Sequence, residues 1–184
     1  MLETLIEIDR SLFLFLNVSL ANPVTDFVMP IVTSDNLLRI AYALAMLLIL
    51  WRGDARLRWL VLVSIIVLAF TDQLSAGLLK PMIGRLRPCH VLDNINLLVG
   101  CGGGKAMPSS HAANAFGQAI LFALLYARVR WWLVGLATLI AISRVFVGVH
   151  YPGDVIAGAL LGTLVALAMA FMFERLIEKR LPGK

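Results

Sequence analysis

The sequence predicts an all-α membrane protein, a polytopic bundle of about six helices in a single domain. Three observations predict it. Hydrophobic residues make up 60% of the chain and charged residues 15%, whereas a soluble domain is roughly half apolar and about a quarter charged; mean hydropathy is +0.89. The apolar residues fall into runs of spanning length, divided by short polar breaks. Basic residues gather in those breaks and in the tail, where anionic lipid headgroups lie. The net charge of +5 therefore points to a membrane surface. No basic stripe interleaved with aromatics suggests nucleic acid as a partner, and no obligate protein partner is evident.

The elements follow in order. Residues 2–16 set Leu2, Leu5, Ile6, Leu12, Phe13 and Leu16 against Glu3, Glu7 and Asp9. That pattern is an amphipathic helix suited to the interface, and its acidic start is the reverse of a cleavable signal peptide. Asn22-Pro23 breaks it. Residues 24–34, with Asp26, Pro30 and Ser34, fit a re-entrant segment or the start of a span. Leu37 to Trp51 is apolar except for Arg39. It rises only about 22 Å against a core of ~30 Å, so it must borrow residues that precede it. Trp59 to Leu79 is a span interrupted only by Asp72-Gln73; Asp72 is expected to have a buried structural partner, Asn114 or Arg144. Residues 80–108 are a long polar loop containing glycine. Three further spans are Ser110 to Ala127, Trp131 to Val149 and Val155 to Phe173. Gly158-x3-Gly162 reads as helix packing within the bundle, and Tyr151 as an interfacial aromatic. The domain thus divides into an N-terminal amphipathic or re-entrant segment (1–36), a bundle (37–175) with five spans, and a tail (176–184); the N-terminal segment is interfacial or a sixth span.

Basic residues set the orientation. Arg52, Arg56 and Arg58, then Arg128 and Arg130, then Arg175, Lys179, Arg180 and Lys184 fall on one side by helix counting. That side, with the C-terminus, is expected to be cytoplasmic. The 80–108 loop and the 150–154 turn then share the opposite, periplasmic or external, face of a bacterial inner membrane.

Three polar segments reach that face. Lys80, Arg85 and Arg87 stand where a helix leaves the membrane. Pro108-Ser109-Ser110-His111 follows, with a serine suited to cap a helix whose free N–H groups attract anions. Ser143-Arg144-x5-His150-Tyr151-Pro152-Gly153-Asp154 is the third; Pro152-Gly153 breaks the chain and places Asp154 to cap the next helix. As snorkelling cations and ordinary caps each segment is unremarked. Together they put Lys80, Arg87 and Arg144 beside a helix N-terminus, a cradle for phosphate. Two histidines, His111 and His150, with one carboxylate, Asp154, are enough for a nucleophile, an orienter and an acid between them. His90, His111 and His150 are not at metal-ligand spacing, so no metal and no other cofactor is expected.

Lys80-x6-Arg87-Pro88, Pro108-Ser109-x-His111 and Ser143-Arg144-x5-His150-x3-Asp154 resemble the three signature motifs of the type-2 phosphatidate phosphatase superfamily, the integral-membrane lipid phosphate phosphatases. The resemblance is strict over residues 80–154, and the helix layout extends it from about 37 to 175. The family's second motif often has Gly where Ser110 stands here; a phosphate contact through the backbone N–H would be kept with Ser, and the added side chain would narrow the pocket. The resemblance implies that His150 forms a phosphohistidine, that Asp154 fixes its tautomer, and that His111 protonates the leaving oxygen. It implies phosphoryl binding by Lys80, Arg87, Ser109, Ser110 and Arg144, without a metal. Arg85 has no role in it; a second phosphate or the headgroup rim is its candidate partner. Lipid phosphates are the implied substrates: undecaprenyl diphosphate is favoured because an outward site suits carrier recycling, with phosphatidylglycerophosphate, phosphatidate and lipid A phosphate as alternatives. A non-catalytic lipid-binding or transport protein would need the cations but not the His150–Asp154 pair. Cys89 and Cys101 both fall in the outer loop, where a disulfide persists, and they are expected to pair.

Overall fold

The computed structural model describes residues 2–176; the expected tail 176–184, apart from Leu176, lies outside the described residues. These residues are helical with no strand among them. α1 (Leu2–Leu14) runs into a π-helical turn, Phe15–Ser19. α2 (Pro23–Val32) starts at a reciprocal cap: the Asn22 side chain accepts from Val24 and Thr25 N–H, and Thr25 Oγ1 accepts from Asn22 N–H. With Pro23 at the first helical position, where a missing N–H costs nothing, the cap turns the chain by 113° between the two segments. That bend fits a broken span or a re-entrant loop.

α3 (Asp35–Arg52) is capped by Ser34 and α4 (Ala55–Asp72) by Asp54, whose carboxylate accepts Leu57 N–H at 2.8 Å. α4 continues through a π-helical turn, Gln73–Leu79, into α5 (Lys80–Ile83). The widened turn has a local cause. Pro81 has no N–H and its ring crowds the carbonyl four residues back; here Lys80 N–H donates instead to Ser75 O, five residues back. Gly84, at φ +69°, ends α5. After the short α6 (Pro88–Val91) come α7 (Ser110–Leu125), a 3-10 turn at Ala127–Val129, α8 (Arg130–Phe146) and α9 (Pro152–Leu176).

The stretches Ala55–Val91, Ala127–Phe146 and Pro152–Leu176 are long and apolar enough to cross a membrane outright. α3 carries Asp35, Arg39 and Arg52, and α7, at about 24 Å, is short for a ~30 Å core. α7 lies inside the bundle, against α4, α8 and α9, which is why its buried face is built from Ala112, Ala113, Gly117 and Ala119. Where helices meet in lipid there is little water to expel, so small residues and interhelical hydrogen bonds hold them together. Both occur here. Ser64 of α4 takes Tyr42 of α3 at 2.7 Å and Gln118 of α7 at 2.6 Å. Gly158 and Gly162 of α9 face Ser109 O and Ala113 O of α7 so closely that a Cβ would sit 2.3 and 2.1 Å from those oxygens.

Apolar packing forms two layers. Leu60, Val63, Val67, Leu121, Leu125, Ala166, Ala170 and Phe173 join α4, α7 and α9. Phe13, Ala112, Ala141, Val145, Tyr151 and Val155 join α1, α7, α8 and α9 at the end where the polar segments gather. Tyr151 is thus buried, 6% exposed, with its ring edge-on to Phe13; it is a core residue and not the interfacial aromatic expected. Asp72 departs from expectation too. It is exposed, and its neighbour Thr71 takes Asn114 Oδ1 at 2.7 Å. At the helical pitch only one of two successive residues can point at α7.

Gly162→Ala is expected to cost about 1–3 kcal/mol, the usual range for an overpacked contact, because the backbone of α7 must move. Gly135→Ala on α8, with nothing within 4 Å, is the control and should be neutral or slightly stabilising. Thermal unfolding in detergent compares them; an unchanged midpoint for Gly162→Ala contradicts the close α7–α9 contact.

Candidate active site

The site is assembled where α7 and α9 begin and α8 ends. Ser109 N–H donates to Asp154 O at 2.9 Å, so the two helix starts are tied backbone to backbone. Ser109 precedes α7, but its hydroxyl does not cap the helix: it is fully buried and has no hydrogen-bond partner among the described residues. A buried hydroxyl without a partner costs about 1–3 kcal/mol, a cost that a water or a docked anion removes. Ser110 directs its hydroxyl to Ser75 Oγ at 3.0 Å. His111, in the first turn of α7, has Nε2 3.2 Å from Asp35 Oδ1.

At the end of α8 the chain turns sharply. Gly148 sits at φ +86°, and a Cβ there would meet Asn96 O at 2.8 Å; only glycine fits. The turn folds His150 back so that its N–H reaches Arg144 O. Arg144 is 8% exposed and donates through Nη1 to Thr33 Oγ1, while its Nε has no partner. His150 is 2% exposed, and its Nδ1 faces Asp154 Oδ2 at 3.5 Å with no other partner. Burial holds the imidazole well below its ordinary value, at about 4. Asp154 opposes that shift, and the charges of Arg144 and Arg87 add to it. The ring is therefore neutral at pH 7, the form with a lone pair to give.

Asp154 is fully buried. It is the third residue of α9 and not its cap. Its Oδ2 reaches back to accept Tyr151 N–H at 2.9 Å, as the acidic member of a capping box does. Its Oδ1 accepts Arg85 Nη1 at 2.8 Å.

Residues 80–108, expected as one loop, hold the short helices α5 and α6 and supply the remaining cations. Lys80, the first residue of α5, lies within electrostatic range of Arg87, Arg144, Asp72 and Asp154, so this segment and α8 bring their charges together. Arg87 Nη1 donates to Cys101 O at 2.9 Å, and its Nε has no partner. Cys101 is bonded to Cys89, with Cα atoms 6.0 Å apart. Cys89, His90 and Cys101 are, among the described residues, the one grouping close enough to hold a metal. A metal takes thiolates, and these sulfurs are joined to each other. Arg85 corrects an expectation. Both its Nη atoms are occupied by carboxylates, Asp154 and Asp9, and its guanidinium lies 4.1 Å from the Tyr151 ring centroid. It is not available to a second phosphate.

The N-terminal third contributes more than its sequence signalled. Asp9 of α1 accepts from Arg85 and from Gly153 N–H. Thr33 meets Arg144 and Asp35 meets His111. Asn17 is buried with its amide satisfied by Asn96 and Phe146. None of these lies in a motif; their partners are 70 or more residues away, and an acid on an amphipathic helix reads as its solvated face.

Comparison with known proteins agrees with the geometry. The model of the PAP2 superfamily matches residues 57–178. A lipid A 4'-phosphatase of Bacteroides thetaiotaomicron is 33% identical over 198 aligned residues, covering 100% of this chain and 87% of that protein. An undecaprenyl-diphosphatase of Sulfolobus acidocaldarius is 31% identical over 123 residues, covering 65% of this chain and 57% of that protein. The crystal structure of a PAP2 type phosphatidylglycerolphosphate phosphatase from Bacillus subtilis superposes with a TM-score of 0.78 at 23% identity, over 96% of this chain and 90% of that one, a likeness of fold.

The disulfide closes a separation of 12 residues, worth about 3 kcal/mol by chain entropy. Mass spectrometry of unreduced protein, alkylated before digestion, should find the linked peptides, and Cys89→Ser/Cys101→Ser should lower the unfolding midpoint. Two alkylated cysteines in protein taken directly from membranes contradict this.

Proposed function

Because the chain belongs to the PAP2 superfamily, we propose that this integral membrane protein is a lipid phosphatase acting through a phosphohistidine. One observation carries the reading: a buried, neutral His150 has Nδ1 turned to Asp154, and Ser109, whose N–H is bonded to Asp154 O, holds a buried hydroxyl that no group among the described residues satisfies. In this reading Nε2 of His150 attacks phosphorus. The bond from phosphorus to the leaving oxygen breaks, and His111 gives that oxygen a proton. Water then attacks the phosphohistidine and returns a proton to His111; the phosphorus–nitrogen bond breaks and free phosphate leaves. Lys80, Arg87, Arg144, the Ser109 hydroxyl and the Ser110 N–H hold the phosphoryl oxygens, whose charge grows during transfer. These cations do the work a metal does elsewhere, so the reaction is proposed to need none.

A lipid A phosphate monoester is the first-choice substrate, since the relative aligned over the whole chain carries that name. Undecaprenyl diphosphate, favoured by the orientation argument, is the second reading and is supported by a shorter match. Residues 1–184 form one phosphatase domain in this account, with membrane lipids as its surroundings. The site faces the periplasm or exterior, opposite Arg52, Arg56, Arg58, Arg128 and Arg130, and the C-terminus is cytoplasmic.

Phosphate release from a panel of lipid A, undecaprenyl diphosphate, phosphatidylglycerophosphate and phosphatidate, with purified protein in detergent, tests this. Lipid A should turn over fastest, His150→Ala should fall to background, and Asp154→Asn should lose roughly a hundredfold or more. Excess chelator should change nothing. Unimpaired His150→Ala refutes the mechanism; binding without turnover refutes the enzyme; activity restored to chelated protein by added metal refutes metal independence.

A further inference from the structure

Asp154 is a fully buried carboxylate, and such a charge persists only when paired and hydrogen-bonded. His150 Nδ1, 3.5 Å away, is a distant partner. The close one is Arg85, at 2.8 Å on the other oxygen. Arg85 is itself gripped from behind: its second amino group donates to Asp9 Oδ2 at 2.6 Å, and the opposite oxygen of Asp9 accepts Gly153 N–H at 2.7 Å. A planar guanidinium forked between two carboxylates has one orientation, and its Cζ lies over the Tyr151 ring, 4.1 Å from the centroid. Gly153 is part of the device, since a Cβ there would stand 2.9 Å from Asp9 Oδ2.

We propose that Asp9 and Arg85 are positioning residues for the His150–Asp154 pair, reaching the reaction only through Asp154. The proposal rests on the phosphatase reading above. Two carboxylates shared with one guanidinium leave Arg85 with little net charge to offer phosphate, so substrate binding stays with Lys80, Arg87 and Arg144. What Arg85 sets is the direction and the field of Asp154. The charged groups acting on His150 are Asp154 from α9, Arg144 from α8 and Arg87 from the loop, with Arg85 and Asp9 immediately behind Asp154. Removing Arg85 strengthens the carboxylate's pull on an imidazole proton. Removing Asp9 leaves Arg85 wholly to Asp154 and weakens that pull.

The test is steady-state kinetics of Asp9→Asn and Arg85→Gln on the best lipid substrate across pH, with inorganic phosphate as competing inhibitor. In both, kcat should fall roughly tenfold or more, as small misplacements of reacting groups do. KM and the phosphate inhibition constant should stay within about twofold. The acid limb of kcat/KM should move to higher pH in Arg85→Gln and to lower pH in Asp9→Asn, a divergence that simple loss of folded protein does not produce. Gly153→Ala, which crowds Asp9 without removing a charge, should also lower kcat, and it carries the test if the other two do not fold. A raised KM and phosphate constant with kcat kept, acid limbs that stay or move together, or an unaffected Gly153→Ala overturns the proposal. His150→Ala in parallel separates the two claims: if it is dead while the others match wild type, only the positioning role falls.

Discussion

α7 and α9 meet backbone to backbone, and the positions of the site residues follow from that contact. Gly158 and Gly162 let α9 lie against the carbonyls of Ser109 and Ala113. The Ser109 N–H to Asp154 O bond then locks the two helix starts at one level. His111 lies in the first turn of α7 and Asp154 in the first turn of α9, so the contact fixes the level of both. α8 closes the arrangement because Gly148 turns the chain back against Asn96 and carries His150 to Arg144. Since lipid offers little hydrophobic drive between helices, these close approaches and buried hydrogen bonds give the bundle its specificity.

The second constraint is charge. Arg144, Asp154 and His150 are all buried, and a buried charge is costly unless something offsets it. The protein separates two kinds of compensation. Asp154 is fully compensated from inside, by Arg85 and by Tyr151 N–H. The opposite side is under-compensated: Arg87 Nε, Arg144 Nε and the neutral Ser109 hydroxyl lack partners among the described residues. That asymmetry is what a site for a multiply charged anion requires. In the proposed reaction the substrate phosphate completes those hydrogen bonds and the neutral His150 is the group that attacks.

The motif segments were legible because chain breaks and charge coincide there. Pro108-Ser109, Pro152-Gly153 and the charged residues beside them stand out in an apolar chain, and the α7, α8 and α9 runs flank them. The N-terminal third was not legible. Asp9 looks like an ordinary acid of an amphipathic helix, yet it bonds Arg85 at a separation of 76 residues and Gly153 at 144. Arg85 looked like a spare cation because its two carboxylates are remote in sequence. Tyr151 and Asp72 differ from the reading for simpler reasons: Asp72 is one of two successive helical residues of which only one can face α7, and Tyr151 lies in the turn between α8 and α9, where no periodicity tells its direction.

The central claim is that His150 becomes covalently phosphorylated. Rapid acid-free quenching during turnover of a lipid carrying radiolabelled phosphate, followed by digestion and peptide mapping, tests it most directly. The account expects label on the peptide containing His150, labile in acid and stable in base, and absent from His150→Ala. Label on Ser109, or full turnover with no labelled protein at any quench time, contradicts it.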